Sequence, residues 1–360
     1  MAVPLFATSL DRHKPRLAQR LSEVLEGGRF ILGPEVEAFE SELASYLGVA
    51  HAVGVANGTD AITIALRALG VGPGDEVVCP SFTFYATVEA TVNAGATPVY
   101  CDVDPESFCV TADTVRAAVT PRTRAVVVVH LFGNVAPVPE ISQLGLPVLE
   151  DSAQAIGATL HGRRAGGLGS AATFSFFPSK NLPCLGDGGA VVTDDDDVAR
   201  SVRRLRFHGS DDKTTFVEVG YNSRLDELQA AALRVLLPEL DGWNAARRSA
   251  AEAYERHGLG EHLQLPRPTP GAEHAYHLYV GRHARAEELR EQLATRGIGA
   301  RGYYRVPVHR QPATVRFAPD GLELPGTDEV ARTHLALPMG TELSDDAVRE
   351  VVEACAAAAF

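Results

Sequence analysis

The chain lacks most of the features that mark secreted, membrane or nucleic-acid-binding proteins. Its five cysteines, Cys79, Cys101, Cys109, Cys184 and Cys355, are odd in number and include no CxxC pair, so neither a disulfide framework nor a metal site is expected. No uncharged apolar run reaches the length a bilayer requires. The segment Met1 to Asp11 shows no basic start followed by an apolar stretch, so no signal peptide is read and a cytoplasmic location is the expectation. Positive charge is in deficit: 33 Lys and Arg face 46 Asp and Glu, a formal net charge of −13, which argues against a surface for nucleic-acid phosphates. No G-x-G-x-x-G turn follows the first strand, which leaves a nicotinamide-dependent oxidoreductase with little support. Internal repeats and low-complexity tracts are also missing.

What remains is an ordinary globular composition. At 360 residues, 45% hydrophobic and 22% charged, the chain can bury a large core and divide into two domains. Gly33-Pro34 opens a segment with Val36, Phe39, Leu43 and Leu47 at helical spacing and Gly48 at its exit. Short apolar runs at 52–56, 76–79, 98–102, 125–130 and 147–150 then alternate with stretches that suit helices. The run Ala125-Val-Val-Val-Val129 is that of a strand buried on both faces. Two more strands are read at 172–176 and 190–193, then helices at 198–207 and 226–237. Beyond the proline-rich 266–270, a strand at 275–281 and helices at 286–296 and 345–358 are expected. The acidic run Asp194 to Asp197 sits where a helix begins, as capping residues do. The fold class is therefore α/β: a mostly parallel sheet sandwiched by helices in a large domain, 1–245, plus a smaller C-terminal α+β domain, 246–360.

Four motifs carry chemistry. Asn57-Gly-Thr-Asp60 lies between a strand and a helix, where it serves either as a simple cap or as a cradle of free amides for a phosphate. Glu150-Asp-Ser-Ala-Gln154 puts Asp151 at a strand exit, either as a helix cap or as a ligand group at the end of the sheet. Phe174 to Lys180 is an apolar strand running into a polar turn with one lysine. Desolvation there would lower the amine's pKa toward nucleophilic use. Gly220-Tyr-Asn-Ser-Arg-Leu-Asp226 precedes a strongly apolar helix, with Asp226 as its N-cap.

In this order and spacing the four motifs resemble the sugar aminotransferases of the DegT/DnrJ/StrS family, which share the aspartate-aminotransferase type of fold. The resemblance runs from Gly33-Pro34 to Leu337-Pro-Met339. It implies that Lys180 carries pyridoxal 5'-phosphate as a Schiff base and later moves the substrate proton, while Asp151 pairs with the pyridine nitrogen. It further implies that Gly58, Thr59 and Ser175 hold the phosphate, that Phe84 stacks on one ring face, and that Gln154 lies against the ring or its phenolic oxygen. Asn222 is expected to reach the phosphate from a neighbouring subunit, which makes the active unit a homodimer. The implied reaction moves nitrogen from an amino acid, glutamate first among them, to a nucleotide-linked keto-sugar. Members of this family that act as dehydratases carry histidine in place of the lysine, and Lys180 opposes that alternative.

Leu185 to Gly189 and Tyr221 to Asp226 look more like members acting on 3-keto sugars than on 4-keto sugars or keto-cyclitols. Tyr221, Tyr304 and His309 resemble the sugar-contacting positions, and the same residues also suit an interface or core. Phe177, Tyr303 and Arg305 depart from the commoner pattern, and Arg305 is a candidate for recognising a carboxylate. A non-catalytic regulator that binds the same cofactor is the alternative from another functional class.

Overall fold

The computed structural model of the chain describes residues 2–358. Seven strands, β1 (His51–Val55), β2 (Glu76–Pro80), β3 (Thr97–Cys101), β4 (Thr123–Val129), β5 (Val148–Asp151), β6 (Ala171–Ser175) and β7 (Gly189–Thr193), form one sheet in the order β1-β7-β6-β5-β4-β2-β3. Strand β7 runs antiparallel to both neighbours, and the other pairings are parallel. The valine run of β4 shows why. Ala125 and Val127 pack with Ile64 and Leu66 on one face, while Val126 and Val128 pack with Phe108 and Ile141 on the other. A strand with apolar neighbours on both faces has no polar side to alternate with.

Helices α1 (Lys14–Gly27), α2 (Pro34–Leu47), α3 (Gly58–Ala68), α4 (Ala86–Asn93), α5 (Ala112–Ala118), α6 (Val138–Ser142), α7 (Asp196–Leu205) and α8 (Glu227–Leu236) cover the sheet. Helix α2 starts at Pro34 and leaves through Gly48 at φ 74°, a left-handed exit that favours glycine. The Asp195 side chain accepts from the amides of Asp197 and Val198 and so caps α7, as the acidic run predicts. Asp226 departs from expectation: it precedes α8 but its side chain makes no capping bond. The acidic residue beside it, Glu227, is buried and accepts from the amides of Gly33, Glu35 and Val36 at 2.7, 3.0 and 3.0 Å, which caps α2 instead.

The rest of the chain adds α9 (Leu240–Arg256), α10 (Ala286–Thr295), α11 (Pro325–Thr333) and α12 (Asp345–Ala356), with β8 (Tyr279–Arg282) paired antiparallel to β9 (His334–Leu337). Tyr254, Leu289, Leu293, Val348 and Val351 share one core with Leu335 and Leu337. Helix α9 runs unbroken through residue 245. The chain's start joins the C-terminal unit through bridges of Val3 with Ile298 and Phe6 with Met339.

The strand read at 275–281 begins only at Tyr279, because the preceding amides go elsewhere: Ala275 donates to the Gly133 carbonyl at 2.8 Å and Leu278 to that of Phe132 at 3.2 Å. That detour sets 275–278 against the ends of β4 and β5. Among the described residues, no helix is long and apolar enough to cross a membrane.

Candidate active site

The ends of β5 and β6 and the start of α3 open onto a cavity of about 410 Å³. Gly58, Thr59, Phe84, Asp151, Gln154, Ser175 and Lys180 all line it, with His277, Tyr303 and Tyr304 contributed by the C-terminal unit. A larger groove of about 1010 Å³ lies elsewhere, among Glu106, Arg267, Tyr276 and Glu329. It holds none of the four motifs, so the smaller space is the candidate site.

The cradle at α3 is built by close approach. A Cβ at Gly58 would come 2.8 Å from the Ser175 Cβ, and one at Gly189 would come 2.5 Å from the Asn57 carbonyl. Only glycines let β7 and the first turn of α3 meet there. The Asn57 side chain accepts from the Asp60 amide at 2.8 Å and so is a cap. Gly58 and Thr59 occupy the first turn, where amides have no intrahelical acceptor. Capping by Asn57 thus leaves these two amides available.

Asp151 ends β5 and is buried at 6% exposure. Its Oδ2 accepts from the Thr87 hydroxyl at 2.9 Å and its Oδ1 from the Ala153 amide at 3.2 Å. Thr87 is itself 3.0 Å from the Thr83 hydroxyl. Burial raises the pKa of this carboxyl, while Thr87, the Ala153 amide and the charge on Lys180 pull the other way. No helix follows Asp151, so its aim is the cavity and not a helix cap. Glu150 points to the opposite face, where burial is outweighed by His130 at 2.8 Å and by the amides of Gly166 and Gly169, which hold its carboxyl below the usual range.

Lys180 is half-buried and lines the cavity. Burial pushes its amine down to about 8, opposed by the carboxylate of Asp151. Of the chain's three lysines, Lys14 and Lys213 are exposed, so Lys180 is the one set apart from solvent. The amide of Gln154 is oriented by its partners: the Phe132 amide donates to Oε1 at 2.8 Å, and Nε2 donates to the Tyr304 hydroxyl at 3.2 Å. Phe84 stands at the rim, 53% exposed, its ring 5.6 Å from that of Tyr304.

Three of the residues singled out from the sequence lie away from this chain's cavity. Asn222 is exposed and bridges Phe207. The Tyr221 hydroxyl is 3.4 Å from Arg67 Nη1, and its ring lies on the core under α3. His309 is buried with Nδ1 2.7 Å from the Ser81 hydroxyl. Arg305 is also outside, paired with Glu287 at 3.0 Å. Conversely, Thr87 and His277 carry no motif of their own, and only the fold brings them to Asp151 and Lys180. Asn181 ends the stretch from Ser175 that carries the resemblance and adjoins Lys180 in the chain.

Known proteins match this chain along nearly its whole length. The DegT/DnrJ/EryC1/StrS aminotransferase family profile matches residues 11–356. A pleiotropic regulatory protein of Geobacillus stearothermophilus is 43% identical over 362 residues, 98% of this chain and 97% of that protein. The dTDP-3-amino-3,4,6-trideoxy-alpha-D-glucose transaminase of Streptomyces venezuelae is 46% identical over 342 residues, 93% of this chain and 89% of the relative. The crystal structure of S. venezuelae DesV in complex with a ketimine intermediate superposes with a TM-score of 0.94 at 43% identity, across 98% of this chain and 97% of that one. The match spans nearly every described element, and the α/β architecture with its mostly parallel sheet is the one those structures share. The chain belongs to the DegT/DnrJ/EryC1/StrS aminotransferase family.

Proposed function

We propose that this protein is a cytoplasmic, pyridoxal-phosphate-dependent transaminase that moves an amino group from glutamate to a nucleotide-linked 3-keto sugar. One observation carries the proposal: a lysine whose amine pKa is pushed down to about 8 faces a buried carboxylate across one cavity. The residues fit the cofactor. The Gly58–Ser175 contact leaves backbone amides free for a phosphate, and Asp151 is the acidic partner a pyridine nitrogen requires. Gly58, Thr59 and Ser175 would hold the phosphate, Phe84 and Gln154 would flank the ring, and Lys180 would bear the link.

When bound, this cofactor supplies an aldehyde that takes up an amine and a ring that accepts electrons when a neighbouring C–H bond breaks. Lys180 has an amine pKa close to neutral, so it can lose and regain a proton, which is the property a general base for that C–H proton needs. Asp151, held by Thr87, is the carboxyl that would face the ring nitrogen. Tyr304 accepts from Gln154, so its own hydroxyl proton is free to be donated into the cavity toward a substrate oxygen.

Tyr221, Asn222 and His309 are assigned to the phosphate and sugar only within a homodimer, in which the neighbouring subunit brings Asn222 to the site. We take 1–245 as the cofactor-binding unit and 246–360 as the unit that closes the cavity with His277 and Tyr304. The amino position at C3 is supported by the named activity of the Streptomyces venezuelae transaminase. The similarity to a pleiotropic regulatory protein keeps a non-catalytic alternative in the test. Cofactor-loaded protein should show a Schiff-base absorption that bleaches on addition of glutamate and returns with a nucleotide-linked 3-keto sugar. Cofactor binding without bleaching by any amino acid would favour the regulator. Return only with a 4-keto sugar or a keto-cyclitol would overturn the 3-keto assignment.

A further inference from the structure

A chain of side-chain amides ends on a histidine beside Lys180, and its polarity can be read from its far end. The Asn244 Nδ2 donates to the Ile156 carbonyl at 2.9 Å, which leaves the Asn244 Oδ1 as an acceptor. That oxygen accepts from Asn181 Nδ2 at 2.8 Å, and the same nitrogen donates to the Ala275 carbonyl at 2.9 Å. Both amides are thereby fixed against rotation, because carbonyl oxygens can only accept. The Asn181 Oδ1 must then be the acceptor in its contact with His277 Nδ1 at 3.2 Å, and the imidazole is the donor. His277, Asn181 and Asn244 are 5%, 4% and 1% exposed, so water does not compete for these bonds.

A neutral imidazole that carries its proton on Nδ1 has an unprotonated Nε2. Charging this ring is opposed by burial first and then by the nearby Lys180 and Arg247, so the neutral form is the one present at ordinary pH. Among the described residues no protein group is hydrogen-bonded to Nε2, and His277 lines the cavity beside Lys180. Asn181, which holds the ring, follows Lys180 directly in the chain.

We propose that His277 is a positioning residue for Lys180: locked as the Nδ1–H tautomer by Asn181 and Asn244, it presents Nε2 as a hydrogen-bond acceptor for the Lys180 amine. The acceptor favours the protonated amine and aims its N–H. It therefore sets the pH at which Lys180 becomes a free base and the direction from which it works. The other titratable groups facing this space are Asp151, Asp187, Tyr303 and Tyr304, with Arg247 behind the imidazole. The charge on Asp151 also favours the protonated amine against burial. The inference deepens the transaminase proposal and rests on it for its purpose, but its physical content concerns the free lysine.

The test therefore uses the full chain freed of cofactor. Labelling of Lys180 by a small amine-reactive reagent is followed by peptide mapping against pH in the wild type, His277→Asn and His277→Gln. Asparagine keeps a donor near the Nδ1 position and loses the cavity-side acceptor, whereas glutamine can place an oxygen near the Nε2 position. The midpoint in His277→Asn should fall by about one pH unit, and glutamine should restore part of the shift. An unchanged or raised midpoint in His277→Asn overturns the proposal. Should that variant fail to fold by circular dichroism, Asn181→Ala, which removes the acceptor for Nδ1–H and keeps the imidazole, should show a smaller shift of the same sign, and its absence is equally fatal. Borohydride trapping of cofactor on Lys180 separates the two claims. A label with an unmoved midpoint sinks the histidine relay alone, and a moved midpoint without a label sinks the transaminase reading alone.

Discussion

At the scale of single residues, Lys180 and Asp151 are linked by charge, and pH acts on them in opposite senses. The unfolded lysine holds its proton to about pH 10.4, whereas the folded amine releases it near 8. A depressed amine pKa means that the unfolded chain binds the extra proton between those values. Stability of the cofactor-free protein should rise with pH across that window, and the penalty is constant below it. Lys180→Met removes the penalty and should make the cofactor-free chain about 1–2 kcal/mol more stable at pH 7, after discounting for water in the cavity. Urea midpoints measure this, and a less stable variant would contradict it. Asp151→Asn keeps the shape and loses the charge. Turnover should fall by about 10²–10³-fold, with the unfolding midpoint of the free chain maintained or raised.

At the scale of elements, the site depends on where helices begin. Glu227 reaches from α8 to three amides at the head of α2. Glu227→Ala strands them inside the protein and should cost about 1–3 kcal/mol of stability, with Glu227→Gln intermediate; equal midpoints for all three would refute the cap. Gly58→Ala forces a methyl to within 2.8 Å of the Ser175 Cβ and must open the cradle. The cofactor's dissociation constant should rise about tenfold or more, equivalent to about 1.4 kcal/mol, with little loss of secondary structure by circular dichroism.

The sheet was legible in the sequence because β2 and β4 carry apolar residues on both faces and could not be mistaken for surface. The Lys180 turn was legible because a lone lysine follows the apolar strand from Ala171 to Ser175. Other features could not be read. Glu227 and Asp226 are adjacent acids, and only the position of α2 selects the first as a cap. His334–Leu337 is four residues long, too short for a periodic pattern. His277 becomes a neighbour of Lys180 only because the amides of Ala275 and Leu278 bond to Gly133 and Phe132 and draw 275–278 against the sheet.

At the scale of the whole molecule, one chain brings Lys180, Asp151, Gly58, Thr59 and Ser175 to one cavity, while Asn222 and Tyr221 stand outside it. Phe216, Val217 and Val219 follow each other on the same segment at 60%, 61% and 84% exposure, an apolar stretch that suits burial against a second copy. If the neighbouring subunit completes the site, mixing inactive Lys180→Ala with inactive Asn222→Ala protein should restore partial activity, because hybrid dimers contain one intact site. Absence of any recovery, with hybrids confirmed by native mass spectrometry, would rule out the shared site. The central claim, that Lys180 bears the cofactor, has a direct measurement. The chain's three lysines give three distinguishable outcomes when pyridoxal-phosphate-loaded protein is reduced with borohydride and its peptides are mapped. The pyridoxyl group should be found on Lys180 and not on the exposed Lys14 or Lys213. A label on either of those alone, or on no lysine, contradicts the account.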